Sequence, residues 1–521
     1  MMLHSSLYSS LLAILLTAGN TQCSKTKELV PPINATSYIQ TTPLLKGMSD
    51  QPYVRVTLVV PAENPPQNIT QIQCSLSAES IANLQELKVY KTASESFSAP
   101  ILLGSLNSFA EKVSIPVALN LNSGMHFIWI AATLKSTANV GQIVELHTTL
   151  FSDGAGNNVI PLQGNYSYKK RIGFAIRKSG DQGVDTYRIP GLIQTDKGTL
   201  LSVYDIRYSS SADLPGNIDV GLSRSTDGGQ SWEPMKIIMD MGVPHANNGV
   251  GDPTILFDPV TKKIFVAALW SKGNRSIAGS LPGISPDTTG QFVLTSSIDD
   301  GQTWTAPYTI TPQIKNPAWY IFFQGPGNGI AMQDGKLVFP AQYWNENKMP
   351  YSTIIYSDDH GEHWKGNILG PKSNTTESQV VETTPGTLML NMRDNRGGFR
   401  SVATTPNMGA NWTEHPTSFN ALQDPVCMGS LIKAKVNVKG VMKEVLFFCN
   451  PNTGSGRYNI TVKASLDLGQ SWLPANQILI DERNCYGYSC LTQIDENTIG
   501  LLYEGVKDIY FVKLHVDEVI H

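Results

Sequence analysis

The sequence predicts an all-β chain, a β-sandwich domain leading into a β-propeller. Three observations carry that prediction. Short runs alternating apolar and polar residues fill the first third of the chain. An octet with Asp, Gly and Trp at fixed places recurs through the remainder at spacings of 48 to 72 residues. The 44 glycines and 31 prolines are spread along all 521 residues. Period-2 alternation is the mark of half-buried strands. A repeat of that length is the mark of one supersecondary unit per blade. Dispersed Gly and Pro punctuate turns rather than long helices.

Residues 1–23 read as an export signal, with a short apolar stretch at 11–16 followed by small and polar residues. No Lys or Arg precedes Lys25, so the usual positive start is missing. Cleavage of the signal and lipidation at Cys23 both stay open, although Asn20-Thr21-Gln22 departs from the small apolar residues that normally precede a lipidated cysteine. The expectation is an exported protein: periplasmic, cell-surface or secreted.

Residues 25–165 form the expected sandwich, with strands in YVRVTLVV (53–60), ELKVYKT (86–92), KVSIPVALNL (112–121) and GMHFIWIAATL (124–134). No catalytic cluster is visible there. Residues 166–521 form the expected propeller. The octet reads STDGGQSW at 225–232, SIDDGQTW at 297–304, SDDHGEHW at 357–364 and SLDLGQSW at 465–472, with a degenerate TPNMGANW at 405–412. Each follows an apolar strand. Asp bonds the backbone of a tight turn, Gly accepts positive φ and Trp packs on the blade, so the octet is a hairpin device and not a catalytic one.

Composition removes several function classes. A net charge of −4 and a pI near 6.2 give no electrostatic footprint for nucleic acid or a membrane surface. Beyond the N-terminus no stretch is apolar enough to span a membrane. Six cysteines occur without metal or redox spacing, so no metal and no cofactor is expected. Cys485 with Cys490, and Cys427 with Cys449, are open as disulfides or as buried thiols.

The octets resemble the Asp-boxes of the sialidase superfamily. The resemblance sharpens at Tyr187-Arg188-Ile189-Pro190, which is similar to that family's Phe/Tyr-Arg-Ile-Pro motif and lies, as there, before the first box. It covers roughly residues 171–516. The preceding domain is similar to the carbohydrate-binding-like domain of secreted Bacteroidetes-type sialidases. The resemblance implies six blades for the propeller and exo-α-sialidase activity on sialylated glycoproteins, glycolipids and oligosaccharides; a monomer is the expectation, and the sequence leaves oligomeric state open.

The residue roles follow from the resemblance. Three arginines would grip the substrate carboxylate: Arg188, Arg400 (with Arg393 and Arg396 as rivals) and Arg457. Tyr488, in CYGYSCL, would be the nucleophile, with Tyr486 as its rival. A phenol suits this task because it is neutral until deprotonated, so the sugar's own carboxylate does not repel it. Most glycosidases attack with a carboxylate, and sialidases are an exception. Glu382 would take the phenol proton, with Glu377 the weaker candidate. Asp213, in a Ser/Gly/Pro-rich loop 25 residues after Arg188, would be the acid/base, ahead of Asp205 and Asp219. Glu504 would orient Arg188. Arg207, and less clearly Asp252, would meet a sugar hydroxyl. Trp319, Tyr320 and Trp344 are left open between aglycone contact and blade packing. A non-catalytic sialic-acid lectin and a trans-sialidase, intramolecular or not, remain the rival readings.

Overall fold

The computed structural model describes residues 32–153, 159–161, 167–273 and 275–521. The expected export segment and Cys23 lie outside the described residues, as do parts of the first domain. The described chain is all-β, with short helices only.

Residues before Ser167 build two antiparallel sheets around one core that includes Val56, Leu58, Ile72, Ile115, Ile128 and Phe151. One sheet has five strands, in the order Asn34–Tyr38, Gln51–Val60, Gly124–Leu134, Leu84–Thr92 and Ile101–Leu106. The other contains Lys112–Leu121, Gln67–Leu76 and Ile143–Ser152. Lys112–Leu121 shows the cause: its residues alternate exposed and buried without a break, so one face is core and the other solvent.

The strand Ser167–Arg177 belongs to both halves. Its first part pairs with Ile143–Ser152, and its last part pairs antiparallel with Ile509–His515 at the far end of the chain. It thereby extends the sheet of Ser489–Gln493, Thr498–Glu504 and Ile509–His515, and Leu44–Lys46 pairs parallel along its other edge. Four further four-stranded sheets and one of five follow between Thr186 and Asp481. Their strands are buried on both faces, as in Leu200–Arg207 and Gln291–Ser297, because each sheet packs against neighbours on either side.

The octets are the devices that dock these sheets. In the first, Ser225 Oγ accepts from Gly229 N at 2.9 Å and donates to Asp227 Oδ1 at 2.8 Å, while Asp227 Oδ1 accepts from Ser231 N at 3.0 Å. The degenerate copy keeps the arrangement with Asn407 in place of Asp. The glycines are required twice over. Gly229 has φ 84°, and a Cβ there would lie 2.2 Å from Phe511 Cε1. Gly301, Gly361 and Gly469 meet Leu201, Phe265 and Met389 in the same manner, so each box seats on a strand of the preceding sheet. The residue before the glycine is also left-handed, at Asp300, His360, Met408 and Leu468.

The five described cysteines are free thiols. Cys485 Sγ faces the Arg457 carbonyl, and Cys490 Sγ lies in the core against Leu192, so neither open pairing forms. Burial raises the Cys427, Cys449 and Cys490 thiols to about 12.

Candidate active site

Two backbone irregularities open the site. The strand Thr186–Gln194 slips register between Arg188 and Gly191, where Ile189 takes φ 58° and Pro190 offers no N–H to the ladder. The strand Val250–Phe257 does the same between Gly251 and Thr254, with Asp252 at φ 58° before Pro253. Each bulge re-aims a side chain out of the ladder.

Glu504 ties the first bulge to the late tyrosine. Its carboxylate accepts from Arg188 Nε at 3.0 Å, Ile189 N at 2.8 Å and Tyr488 N at 2.9 Å. It is fully buried, so one acid fixes both the Arg188 rotamer and the Tyr488 backbone before any substrate arrives. The Arg188 guanidinium then sits between two rings, 4.9 Å from the Tyr486 centroid and 5.0 Å from that of Tyr488. The Arg457 guanidinium lies 5.6 Å from the Tyr488 ring and is held by the Tyr486 and Val426 carbonyls.

The Tyr488 phenol donates a short hydrogen bond to Glu377 Oε1 and accepts from Arg393 Nη1 at 3.1 Å. Arg393 Nη1 also donates to Glu377 Oε2 at 2.6 Å. Burial raises the Tyr488 pKa well above the usual phenol range; the Glu377 carboxylate adds to the rise, and Arg393 and Arg188 oppose it. A phenol held this way does not ionise freely. It gives up its proton only to the group already bonded to it.

Two expected positions are corrected. Glu382 is not the partner of Tyr488: its carboxylate accepts from Gln333 N and Gly386 N, at the hairpin end of the strand Thr375–Thr384. Glu377 lies five residues earlier, roughly 16 Å along an extended strand, so only one of the two acids reaches the phenol. Arg400 is not at the pocket surface: it is 0% exposed, with its donors taken by Asn391 and the Cys427 carbonyl, 3.6 Å from Asp424. Arg393 stands at the tyrosine in its place. Arg396 pairs with Asp394 instead.

Across the pocket, Asp213 Oδ1 lies 2.7 Å from Arg207 Nη1 and 3.6 Å from Arg188 Nη1, with its side chain 65% exposed. Burial would raise its pKa, but the Arg207 and Arg188 guanidiniums outweigh that and hold it below the usual carboxylate range. Arg207 is itself 1% exposed and clamped by Asp205, so it meets Asp213 rather than the pocket surface. Asp205 also accepts from Asp252 N at 2.8 Å. It is a buried link from the strand Leu200–Arg207 to the bulge at Asp252, a role its sequence position does not suggest. Asp219 holds the Tyr208 hydroxyl at the root of the Asp213 loop.

The cavity is about 200 Å³ and is lined by Asp213, Asp252, Glu377, Arg393 and Tyr488, with Ile277, Phe323, Gln342 and Trp344 on one wall. Trp344 thus faces the pocket. Trp319 is core, stacked 3.8 Å from Tyr343. Nearby guanidiniums, a phenol bonded to a carboxylate and an exposed acid opposite it define the class: a glycosidase-like site shaped for a carboxylated sugar.

Comparison with known proteins agrees with that class. Residues 189–480 match the BNR repeat-like domain family. The chain is 48% identical over 391 residues to a sialidase of Bacteroides fragilis, covering 73% of this chain and 71% of that one. It is 31% identical to a sialidase of Paraclostridium sordellii over 63% of this chain and 83% of that one. The solved Hadza microbial sialidase Hz136 superposes with a TM-score of 0.85 at 36% identity, over 93% of this chain and all of that one. The chain belongs to the sialidase family and is a glycoside hydrolase of the exo-α-sialidase type.

Proposed function

We propose that the chain releases terminal sialic acid with retained configuration, through a covalent sialyl-tyrosine at Tyr488. The observation that carries this is the Tyr488–Glu377–Arg393 contact in the floor of the pocket. Arg188, Arg393 and Arg457 bind the carboxylate on the anomeric carbon. Their charge offsets that carboxylate and leaves the phenol free to approach.

In the first step the Tyr488 oxygen bonds to the anomeric carbon while its proton passes to Glu377. The glycosidic bond breaks, and the leaving oxygen takes a proton from Asp213. Substrate helps to make that acid: its carboxylate offsets the charge of Arg188, and Asp213 then holds a proton more readily. In the second step a water gives its proton to Asp213, attacks the same carbon and displaces the tyrosine, whose oxygen recovers the proton from Glu377. Asp252 and the wall containing Phe323 and Trp344 meet the hydroxyl and acyl groups of the sugar.

The six-bladed propeller is part of the same proposal. Six sheets of four strands or more follow Thr186 once the strand Ser167–Arg177 is counted with the last. The first box seats on Phe511 of that last sheet, which supports closure of the ring. The boundary near residue 165 and a glycan-binding role for the first domain are proposed on resemblance. Export is proposed from residues 1–23, and N-terminal sequencing of secreted protein tests it.

The test of activity is incubation with 3′- and 6′-sialyllactose and identification of the sugar released. Free sialic acid, first appearing as the α-anomer by NMR, supports hydrolysis with retention. An anhydro sugar or a transferred sialoside assigns the same site to trans-glycosylation. No turnover makes the chain a lectin.

A further inference from the structure

A second cavity, of about 310 Å³, shares no lining residue with the catalytic pocket. It lies between the sheet that ends at Thr413–Glu414 and the one that begins at Ser430, with Lys463 among its walls. Lys463 is 7% exposed, yet its ammonium makes no hydrogen bond or ion pair among the described residues. Its stem lies in the sheet between Phe448 and Gln477, and the ammonium is 5.8 Å from the Phe448 ring. Burial lowers its pKa to about 8, and Cys449 and Asp424 oppose the fall. A buried ammonium with no hydrogen-bonded partner is costly unless a ligand supplies one.

The other walls suit a sugar. Phe399 and Trp472 offer aromatic surface to the C–H face of a pyranose, and Gln423, Asn452 and Gln477 offer amides to hydroxyls. We infer that this cavity is a second, non-catalytic binding site for an acidic sugar, whose carboxylate or sulfate pairs with Lys463. A glycan with several acidic termini would hold one there while another enters the catalytic pocket. Effective concentration would then favour branched over small substrates.

The test is calorimetric titration of the Tyr488→Phe variant with 3′-sialyllactose and, separately, with 3′-sulfolactose. Two sites are expected for sialyllactose, falling to one when Lys463→Met is added. A single sulfolactose site lost with Lys463→Met extends the class to any anionic sugar; its absence restricts the class to carboxylates. Should Lys463→Met unfold the chain, Gln477→Glu supplies the second variant. It sets a carboxylate opposite Lys463 in the sheet, occupies the ammonium and removes the same site. With Tyr488 intact, Gln477→Glu raises KM for mucin about tenfold and leaves the constants for a small fluorogenic sialoside unchanged. One site in every titration, or an equal loss on both substrates, overturns the inference. Failure of the sialidase reading would appear separately, as wild-type chain that does not turn over the fluorogenic sialoside.

Discussion

The hydroxyl of Tyr488 is bonded to Glu377, on the strand Thr375–Thr384, more than a hundred residues earlier in the chain. The hairpin formed by that strand and Thr387–Asp394 also supplies Arg393, so one supersecondary unit brings both the proton acceptor and a guanidinium to the phenol.

Exchanging the two glutamates separates their roles. Glu377→Gln should lower kcat on a fluorogenic sialoside by about 10²–10⁴-fold, the usual contribution of a positioned base. Glu382→Gln should leave kcat within about twofold and cost about 1–2 kcal/mol in urea unfolding, because it only satisfies the Gln333 and Gly386 amides.

The arginines divide in the same way. Arg393→Met should reduce kcat/KM by about 10²-fold or more in a folded protein, since it removes a charge-assisted contact to both substrate and nucleophile. Arg400→Met should instead lower stability by about 3–5 kcal/mol, because it strips the partner from buried Asp424. Thermal unfolding beside kinetics on the folded fraction tells the two apart.

Asp213 sets the pH dependence. Its pKa in the free enzyme lies below the usual carboxylate range, so its acid form becomes scarcer as pH rises. Wild-type kcat/KM should therefore fall between about pH 5 and pH 8. In Asp213→Asn a substrate with a 4-nitrophenol leaving group, which needs no proton, should keep far more activity than sialyllactose. The sign for stability is opposite to that for rate. A depressed carboxylate stabilises the fold above its unfolded pKa of about 3.9, and that contribution is lost as pH falls through the lower folded value.

The octet glycines are structural. Gly229→Ala places a methyl group 2.2 Å from the Phe511 ring at a left-handed φ, and should destabilise by about 3 kcal/mol, read as a lower urea midpoint at unchanged m. Reductant should leave the melting temperature of the wild type unchanged, because the described cysteines are free.

Much of this is legible in the sequence. Alternation exposes the strands and the octets expose the repeating hairpins, because both are local patterns. Tyr187-Arg188-Ile189-Pro190 marks its arginine because Pro190 cannot donate to the ladder and the register slips beside it. Glu377 and Arg393 are harder to see. Their neighbours carry equally plausible acids and bases, and the choice depends on which end of a strand faces the pocket. Register holds part of that information: Ser378 pairs with Met392, so Glu377 and Arg393 flank that pair far from the turn, whereas Glu382 pairs with Leu388 beside the turn. Arg400 stands out by its place before a box, yet the short strands around it turn its side chain inward onto Asn391 and Asp424. Asp205 reads as a strand-edge or turn residue, because nothing local shows that it bridges two sheets.

The most direct test is to trap the sugar on the protein. 2,3-Difluorosialic acid suits this: its 2-fluoride leaves without needing a proton, and its 3-fluorine slows release of the sugar from the nucleophile. The present chain should be incubated with that reagent, digested and mapped by mass spectrometry. The account predicts one adduct, on the peptide carrying Tyr488 and at that residue, formed much more slowly in Glu377→Gln. An adduct on Tyr486, on a carboxylate, or no adduct in an enzyme that still cleaves sialyllactose would contradict it.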